Sequence, residues 1–447
     1  MQVPTVTVVT SELAGLGKDT ALSQGAVDYP FVVVPHPLGM APAEEVRKKS
    51  ERAFPEILEM GTGWKPGKKS LPTKAAYPAE RITLEGSLHD LNRTFFDAGW
   101  SLGLPVEPPT TERVAEMLTG TILPPHTVLG AVPPRMGLLT VELVAAHAAM
   151  AGCRPEYMPV LIAALEAMLD PRANWRGAAT TTGTTAALIV VNGPIIKEIG
   201  IASSQGAAGA DHHANVSIGY AFNLVADVVG GAKSPSPDKS TLGAPSDCVA
   251  WVFGENEDAL PEGWQPLHVQ RGFKKNESVV TFMPTYPPVE NIDHWSTTPE
   301  EHLTWWAHLV SPLTAVGGPC EVSQIEQAYI IGVGPEHASL VAGKWSQNTF
   351  KTRFWEAVRA PLSAWPKGAP HLDVLKNKLG PMKRDTRIPV TLAPEQFLTV
   401  IAGGAGKHSH YFAPFPRCSV VSKRVGRTGG SGQTAKAASR KQRGHQH

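Results

Sequence analysis

ALIVVNGPI (187–195) decides how this chain is read: five apolar residues, three of them β-branched, run straight into an Asn-Gly-Pro turn. A short apolar run bounded by turn residues reads as a strand buried on both faces. FVVVPHPLG (31–39), AYIIGVGPEHA (328–338) and FLTVIAGGAGKHSH (397–410) repeat the arrangement. Helical patterns separate these segments, so the fold class is α/β, and strands alternating with helices predict a mainly parallel sheet. In open α/β sheets the ligand crevice lies outside the carboxyl ends of the strands. The polar groups delivered there are His36, Asn192, His337, Lys407, His408 and His410. The strand–turn–helix unit at 187–199 resembles that at 328–342 in pattern, which admits a diverged duplication.

Four regions follow from composition. Residues 1–60 read as β–α–β–α, with strands Thr5–Val9 and Phe31–Val34, a unit too small to make a layered domain alone. Residues 61–109 (GTGWKPGKKSLP at the start, PVEPP near the end) read as a linker with an apolar patch around Phe95, Phe96 and Trp100, suited to wrapping a neighbouring subunit. Residues 110–422 form the main α/β domain, opened by the capped helix TTERVAEML and continued by a helical pattern from Leu138 to Met150. Residues 423–447 carry seven Lys/Arg and no acid and are expected to be a disordered basic tail.

The 447 residues are 42% apolar and 18% charged, with 41 basic against 40 acidic side chains. That balance gives no electrostatic reason to expect nucleic acid or membrane as a partner. No apolar run reaches membrane-span length and the opening residues lack a signal-peptide pattern, so the expected location is the cytoplasm. Cys153, Cys248, Cys320 and Cys418 form no CxxC pair, which suggests neither a zinc knuckle nor a disulfide framework.

Candidate sites carry competing readings. GGAGKHSH (403–410) follows a strand, so the Gly403 and Gly404 amides and the Lys407 ammonium suit an anion cradle, although the Walker A spacing is absent. A tight turn with exposed Lys407 and His408 is the alternative. His337 and Asn192 suit either a pocket or a turn-stabilising hydrogen bond, and His36 is held between two prolines. PLHVQRGF (266–273) spaces His268 and Arg271 so that in a helix or turn they converge on one anion; a structural ion pair fits equally. Glu255–Asp258 reads as a solvated acidic turn, with a general acid or metal ligand as the alternative, and ADHHAN (210–215) lacks metal-ligand spacing. Cys153 precedes a helix N-terminus, where a thiol's pKa is lowered, although buried filler is the ordinary role of such a cysteine.

MAGCRPEYMPVLIAALEAMLDP, LIVVNGPIIKEIGI, GENED, PLHVQRGF, GPEHA and IAGGAGKHS, in this order, resemble the large C-terminal region of UGSC-type (seleno)proteins. VPTVTVVTSEL followed by YPFVVVPHPLGMAPAEEVR resembles the downstream half of that family's N-terminal Rossmann-like domain. The family's Cys/Sec-Gly-Ser-Cys motif precedes the strand corresponding to Thr5–Val9, where this chain opens. The resemblance therefore implies an incomplete Rossmann-like half-domain, with a separate subunit supplying the reactive thiol or selenol. TTTGTTAAL (180–188) and ADHHAN depart from the family pattern, and no roles are carried over to them.

The expected function is that of one subunit of a heteromeric thiol- or selenol-dependent oxidoreductase or lyase. It would reduce, or cleave a carbon–heteroatom bond in, a small polar or anionic molecule. Lys407, His408 and Arg271 would neutralise charge, His268 or His337 would move protons, and Cys153 would act as a resolving thiol. Two alternatives stay open: a hydratase or lyase subunit sharing a transition metal with partner thiolates, and a non-catalytic scaffold.

Overall fold

The computed structural model describes residues 5–23, 26, 29–39, 41–63, 65, 79–310, 327–365 and 372–426. The opening strands β1 (Thr7–Thr10) and β2 (Phe31–Val34) pair in parallel, and β3 (Val128–Val132) and β4 (Gly137–Thr140) form an antiparallel hairpin. The main domain continues with β5 (Ala186–Asn192), β6 (Trp251–Gly254), β7 (Val279–Thr285), β8 (Val289–Ile292) and β9 (Tyr329–Val333). A small antiparallel pair, β10 (Arg359–Pro361) and β11 (Arg387–Pro389), precedes β12 (Phe397–Ile401), β13 (His408–Phe412) and β14 (Val421–Arg424).

Two four-stranded sheets carry the domain, in the orders β14-β7-β5-β6 and β12-β9-β13-β8. Each contains one parallel pair, β5 with β6 and β9 with β12, and two antiparallel pairs. The class is α/β as expected, but the sheets are mixed rather than mainly parallel. The reason is that β7 and β13 return directly beside β5 and β9 without a crossover helix.

The two sheets repeat one plan. Ile189 of β5 faces Val252 of β6 on one side and Phe282 of β7 on the other. Ile330 of β9 likewise faces Leu398 of β12 and Phe412 of β13. The strand after each parallel pair ends in the same way, Phe282-Met283-Pro284 and Phe412-Ala413-Pro414. The pattern likeness of 187–199 to 328–342 is thus one part of a longer duplication.

Each half gives its last strand to the other. β8 follows β7 in sequence but pairs with β13, and β14 follows β13 but pairs with β7. Prolines force the exchange, because a residue without an N–H cannot continue a ladder. Pro287 and Pro288 follow the end of β7 at Thr285, and Pro414 and Pro416 follow the end of β13 at Phe412. The two chains cross there, with Tyr286 N donating to Ala413 O (3.0 Å) and Phe415 N to Pro284 O (2.8 Å).

All seven residues of β5 are buried, which explains its unbroken apolar run. Helices Met158–Leu169 and His213–Leu224 pack on the first sheet. In the second, alternation splits the strands: Ile330, Leu398, Val400 and Phe412 join the core of the first sheet. Ile331, Val333, Ile401 and Tyr411 pack with Trp306, Phe350 and Phe354 in a second core.

Equivalent glycines close both parallel pairs. A methyl at Gly193 would lie 2.2 Å from Glu277 O, and one at Gly334 would lie 2.0 Å from His408 O. Gly193 also sits at φ +85°. Neither obstacle is a movable side chain, so Gly193→Ala and Gly334→Ala are each expected to cost about 2–4 kcal/mol, read as a lowered urea midpoint.

Three sequence expectations change. Residues 138–140 belong to β4, and the helix begins at Val141, capped by Thr140. The 61–109 segment contains the helix Leu88–Asp97, capped by Ser87, and Phe95 packs with Val106, Met150, Tyr220 and Leu224. Phe95 is thus spent on its own chain, while Phe96 and Trp100 of the same patch are 57% and 40% exposed. Lys423 and Arg424 belong to β14, so the tail begins later than residue 423, and 427–447 lie outside the described residues. Among the described residues no helix is long and apolar enough to cross a membrane.

Candidate functional site

The carboxyl ends of β5, β6 and β12 meet, as the sequence pattern predicts. Glu255, the residue after β6, is the junction. Its Oε2 accepts from Asn192 Nδ2 (2.6 Å) and Leu267 N (2.6 Å), and its Oε1 accepts from Ile401 N (3.0 Å). The residue is 1% exposed. Burial pushes its carboxyl up to about 8, reinforced by the nearby Glu257 and opposed by the three N–H donors. A carboxyl group in that range changes protonation near neutral pH, as acid–base chemistry requires.

Glu257 carries the cluster outward. Its Oε1 accepts from Gly193 N (2.7 Å) and Asn192 Nδ2 (3.1 Å), and its side chain is 23% exposed. Behind it lies His268, fully buried at the start of the short helix Leu267–Gln270. The Lys275 carbonyl can only accept, so His268 Nε2 carries a proton toward it (3.3 Å). His268 Nδ1 has no partner and lies 3.8 Å from Glu257 Oε1, and the buried Asn192 Oδ1 is also unpartnered. Gly193, Lys197, Ser203, Glu255, Glu257 and Lys275 help line a cleft of about 190 Å³. We call this the acid lobe.

A second lobe lies on the other side of the loop that follows Ala202. Its volume is about 360 Å³, with Trp251, Phe253 and Phe412 as aromatic walls and the 402–406 turn along one side. Gln205 to Gly209 face that turn, and His408 and His410 lie at the edge. Both histidines are on β13 rather than in the loop. His408 Nδ1 bonds Glu290 Oε1 at 2.7 Å. Asn215 sets the dividing loop, bonding Ala202 N and O, Ala207 O and Val252 O. Its neighbours His212 and His213 diverge, toward Gln205 O and the Tyr157 hydroxyl.

Two amides of the anion cradle expected at 403–407 are already engaged. Gly403 N donates to Ser203 O, and Gly406 N donates to the Glu336 carboxylate at 2.6 Å. Gly404 instead allows close loop contact, since a methyl there would lie 2.5 Å from Gln205 Oε1, while Gly403 takes a φ of +84°. Lys407 Nζ donates to His294 O (3.2 Å).

Other candidates move away from the crevice. His337 is 1% exposed, held by Ser409 Oγ at Nδ1 (2.7 Å) and Asp293 O at Nε2 (3.1 Å). Ser409 Oγ itself accepts from Gly334 N. Burial and the neighbouring His302 bring His337 down to about 4, so it is neutral and locked, a tie between β9 and β13 rather than a proton carrier. Asp293, His302 and His337 present ligand atoms within 4.8 Å of one another. Asp293 Oδ2 bonds His302 Nδ1 (2.7 Å), so within the two imidazoles only His302 Nε2 is left without a partner.

Arg271 turns away from His268 to donate to Val420 O (2.8 Å), so the two do not converge. Cys153 is 2% exposed in the core, and burial pushes its thiol up to about 12, which removes it as a resolving thiol. Cys248 is also raised by burial, and Cys320 lies outside the described residues.

His36 sits at the carboxyl end of the separate β1–β2 sheet, its Nδ1 3.1 Å from Thr10 Oγ1 and its N–H donating to Ser11 Oγ. The long helix Ala43–Gly63 covers one face of that sheet through Ala53, with Ile57 and Met60. Residues 2–63 match the UGSC family model. The UGSC resemblance of VPTVTVVTSEL and YPFVVVPHPLGMAPAEEVR is thereby borne out over this unit. No curated protein and no solved structure matches the chain.

Proposed function

We propose that this chain is one subunit of a heteromeric thiol- or selenol-dependent enzyme, whose reactive Cys or Sec sits on a partner chain. The observation that carries the reading is the meeting of strand ends at Glu255, which joins a buried, raised carboxyl to an accessible one in a cleft. Such a pair suits proton transfer to a heteroatom leaving carbon. Glu257 meets the substrate, while His268, Asn192 and Glu255 position it.

Two features support a partner. The β1–β2 sheet has only two strands among the described residues, fewer than a stable layer needs. Val8, Val33, Phe54 and Leu58 are 42%, 46%, 61% and 55% exposed there. Among the described residues, the thiols of Cys153, Cys248 and Cys418 are raised or buried, which favours a reactive thiol supplied from elsewhere. Free cysteines also accord with a cytoplasmic location.

Affinity capture of the full chain from its native host tests the proposal. The expected result is a stoichiometric partner with a Cys/Sec-Gly-Ser-Cys motif, lost on Val33→Glu with Phe54→Glu while the main domain keeps its melting temperature. Turnover by the purified chain alone overturns it.

A further inference from the structure

The aromatic lobe beside the acid lobe has its own chemistry. Building on the reading of the crevice as a substrate pocket, we infer that this lobe takes a planar, uncharged heteroaromatic molecule. The partly exposed Trp251 supplies the ring surface, backed by Phe253 and Phe412, which are 3% and 4% exposed and lie 6.2 Å apart at 33°; Trp251 meets Phe412 at 6.5 Å and 74°. Aromatic faces favour flat partners through offset and edge-on contact.

The other walls make the space a slit. Gly206, Ala207, Ala208 and Gly209 oppose Ala402 to Gly406, so no side chain beyond Gln205 projects from either loop. The loops already touch at Gly404 and Gln205. A volume of about 360 Å³ bounded by backbone and rings accommodates a bicyclic ring more readily than a puckered body.

The edge chemistry selects against an anion. Gly406 N is taken by Glu336, and Glu290 stands beside His408 and 4.0 Å from His410 Nε2. Two carboxylates at the rim repel a third. Burial lowers the pKa of His410, favouring the neutral imidazole, which offers one donor or acceptor to a ring nitrogen. The Gln205 amide offers both at the facing edge.

The test titrates the full chain with quinoxaline, 2-decalol and benzoate, by calorimetry and saturation-transfer NMR. Quinoxaline should bind saturably and at least about ten-fold more tightly than either the saturated bicycle or the anion. Ala208→Phe, placed on an exposed loop to fill the slit, should abolish binding, and His410→Gln should weaken it about five-fold or more. Equal binding of 2-decalol, tighter binding of benzoate, no saturable quinoxaline binding, or binding unchanged in both variants each overturns the inference. The assay needs neither partner nor turnover. A failure here with turnover still dependent on Glu257 removes the ligand class alone, whereas loss of that dependence removes the reading of the crevice.

Discussion

Glu257→Gln, assembled with the partner chain, is expected to turn over about 10²–10⁴-fold more slowly than the native complex, the range general acid–base catalysis supplies. The substitution keeps an acceptor for Gly193 N and Asn192 Nδ2, so melting temperature should change little. What is lost is the ability to give or take a proton at the only cluster carboxylate that combines contact with Asn192 and exposure to the cleft. His268→Gln separates positioning from chemistry. The buried imidazole cannot touch substrate, so its removal should cost less of the rate than Glu257→Gln does, by displacing the Glu257 carboxylate rather than removing the proton donor. Turnover by Glu257→Gln within two-fold of native, about 0.4 kcal/mol in the barrier, would exclude the acid lobe as the proton source.

Native stability is expected to fall between pH 6.5 and 8, and Glu255→Gln to flatten that fall. Glu255 is raised from 4.5 to about 8 in the fold, so between those values the folded state holds a proton that the unfolded chain releases. Rising pH then favours unfolding, by at most about 1.4 kcal/mol per pH unit. His337 works in the opposite direction. It falls from 6.5 to about 4, so the unfolded state binds the extra proton and stability drops as pH decreases through that window. From 4.5 to 6.5 the slopes of Glu255 and His337 oppose; above that, Glu255 contributes to the alkaline fall alongside Asp227, whose carboxyl burial also raises. Urea unfolding of both proteins at half-unit pH steps measures it, and an unchanged slope in Glu255→Gln would assign the limb elsewhere. The variant should also be less stable at pH 5, because an amide nitrogen would face one of the three buried N–H donors.

The strand-end turns were legible because a buried strand must be apolar and must stop at a turn. Asn192 and the 403–404 glycines were therefore found from sequence, and His268 by its spacing from Arg271 in PLHVQRGF. Their roles were not, because each depends on residues far along the chain. Gly406 spends its amide on Glu336, 70 positions away. Glu255 is buried because Ile401, 146 positions away, covers it, and an acidic turn shows no sign of that in sequence. GENED appearing at a strand end, like the other turns, was the available signal. Arg271 and Cys153 failed for a related reason: helix spacing and helix ends are local, while burial and backbone partners are not. Mixed pairing escaped because apolar periodicity reports that a strand is covered, never which way its neighbour runs.

The reciprocal loan of β8 and β14 has a consequence for ancestry. A single half of this domain would carry a terminal strand with no sheet of its own to enter and a sheet lacking its fourth member. Two copies resolve both defects by trading strands, as domain-swapped dimers do. The main domain thus holds within one chain the strand exchange that such a dimer makes between two. Neither copy can be cut out as an independent module, because removing one takes a strand from the other.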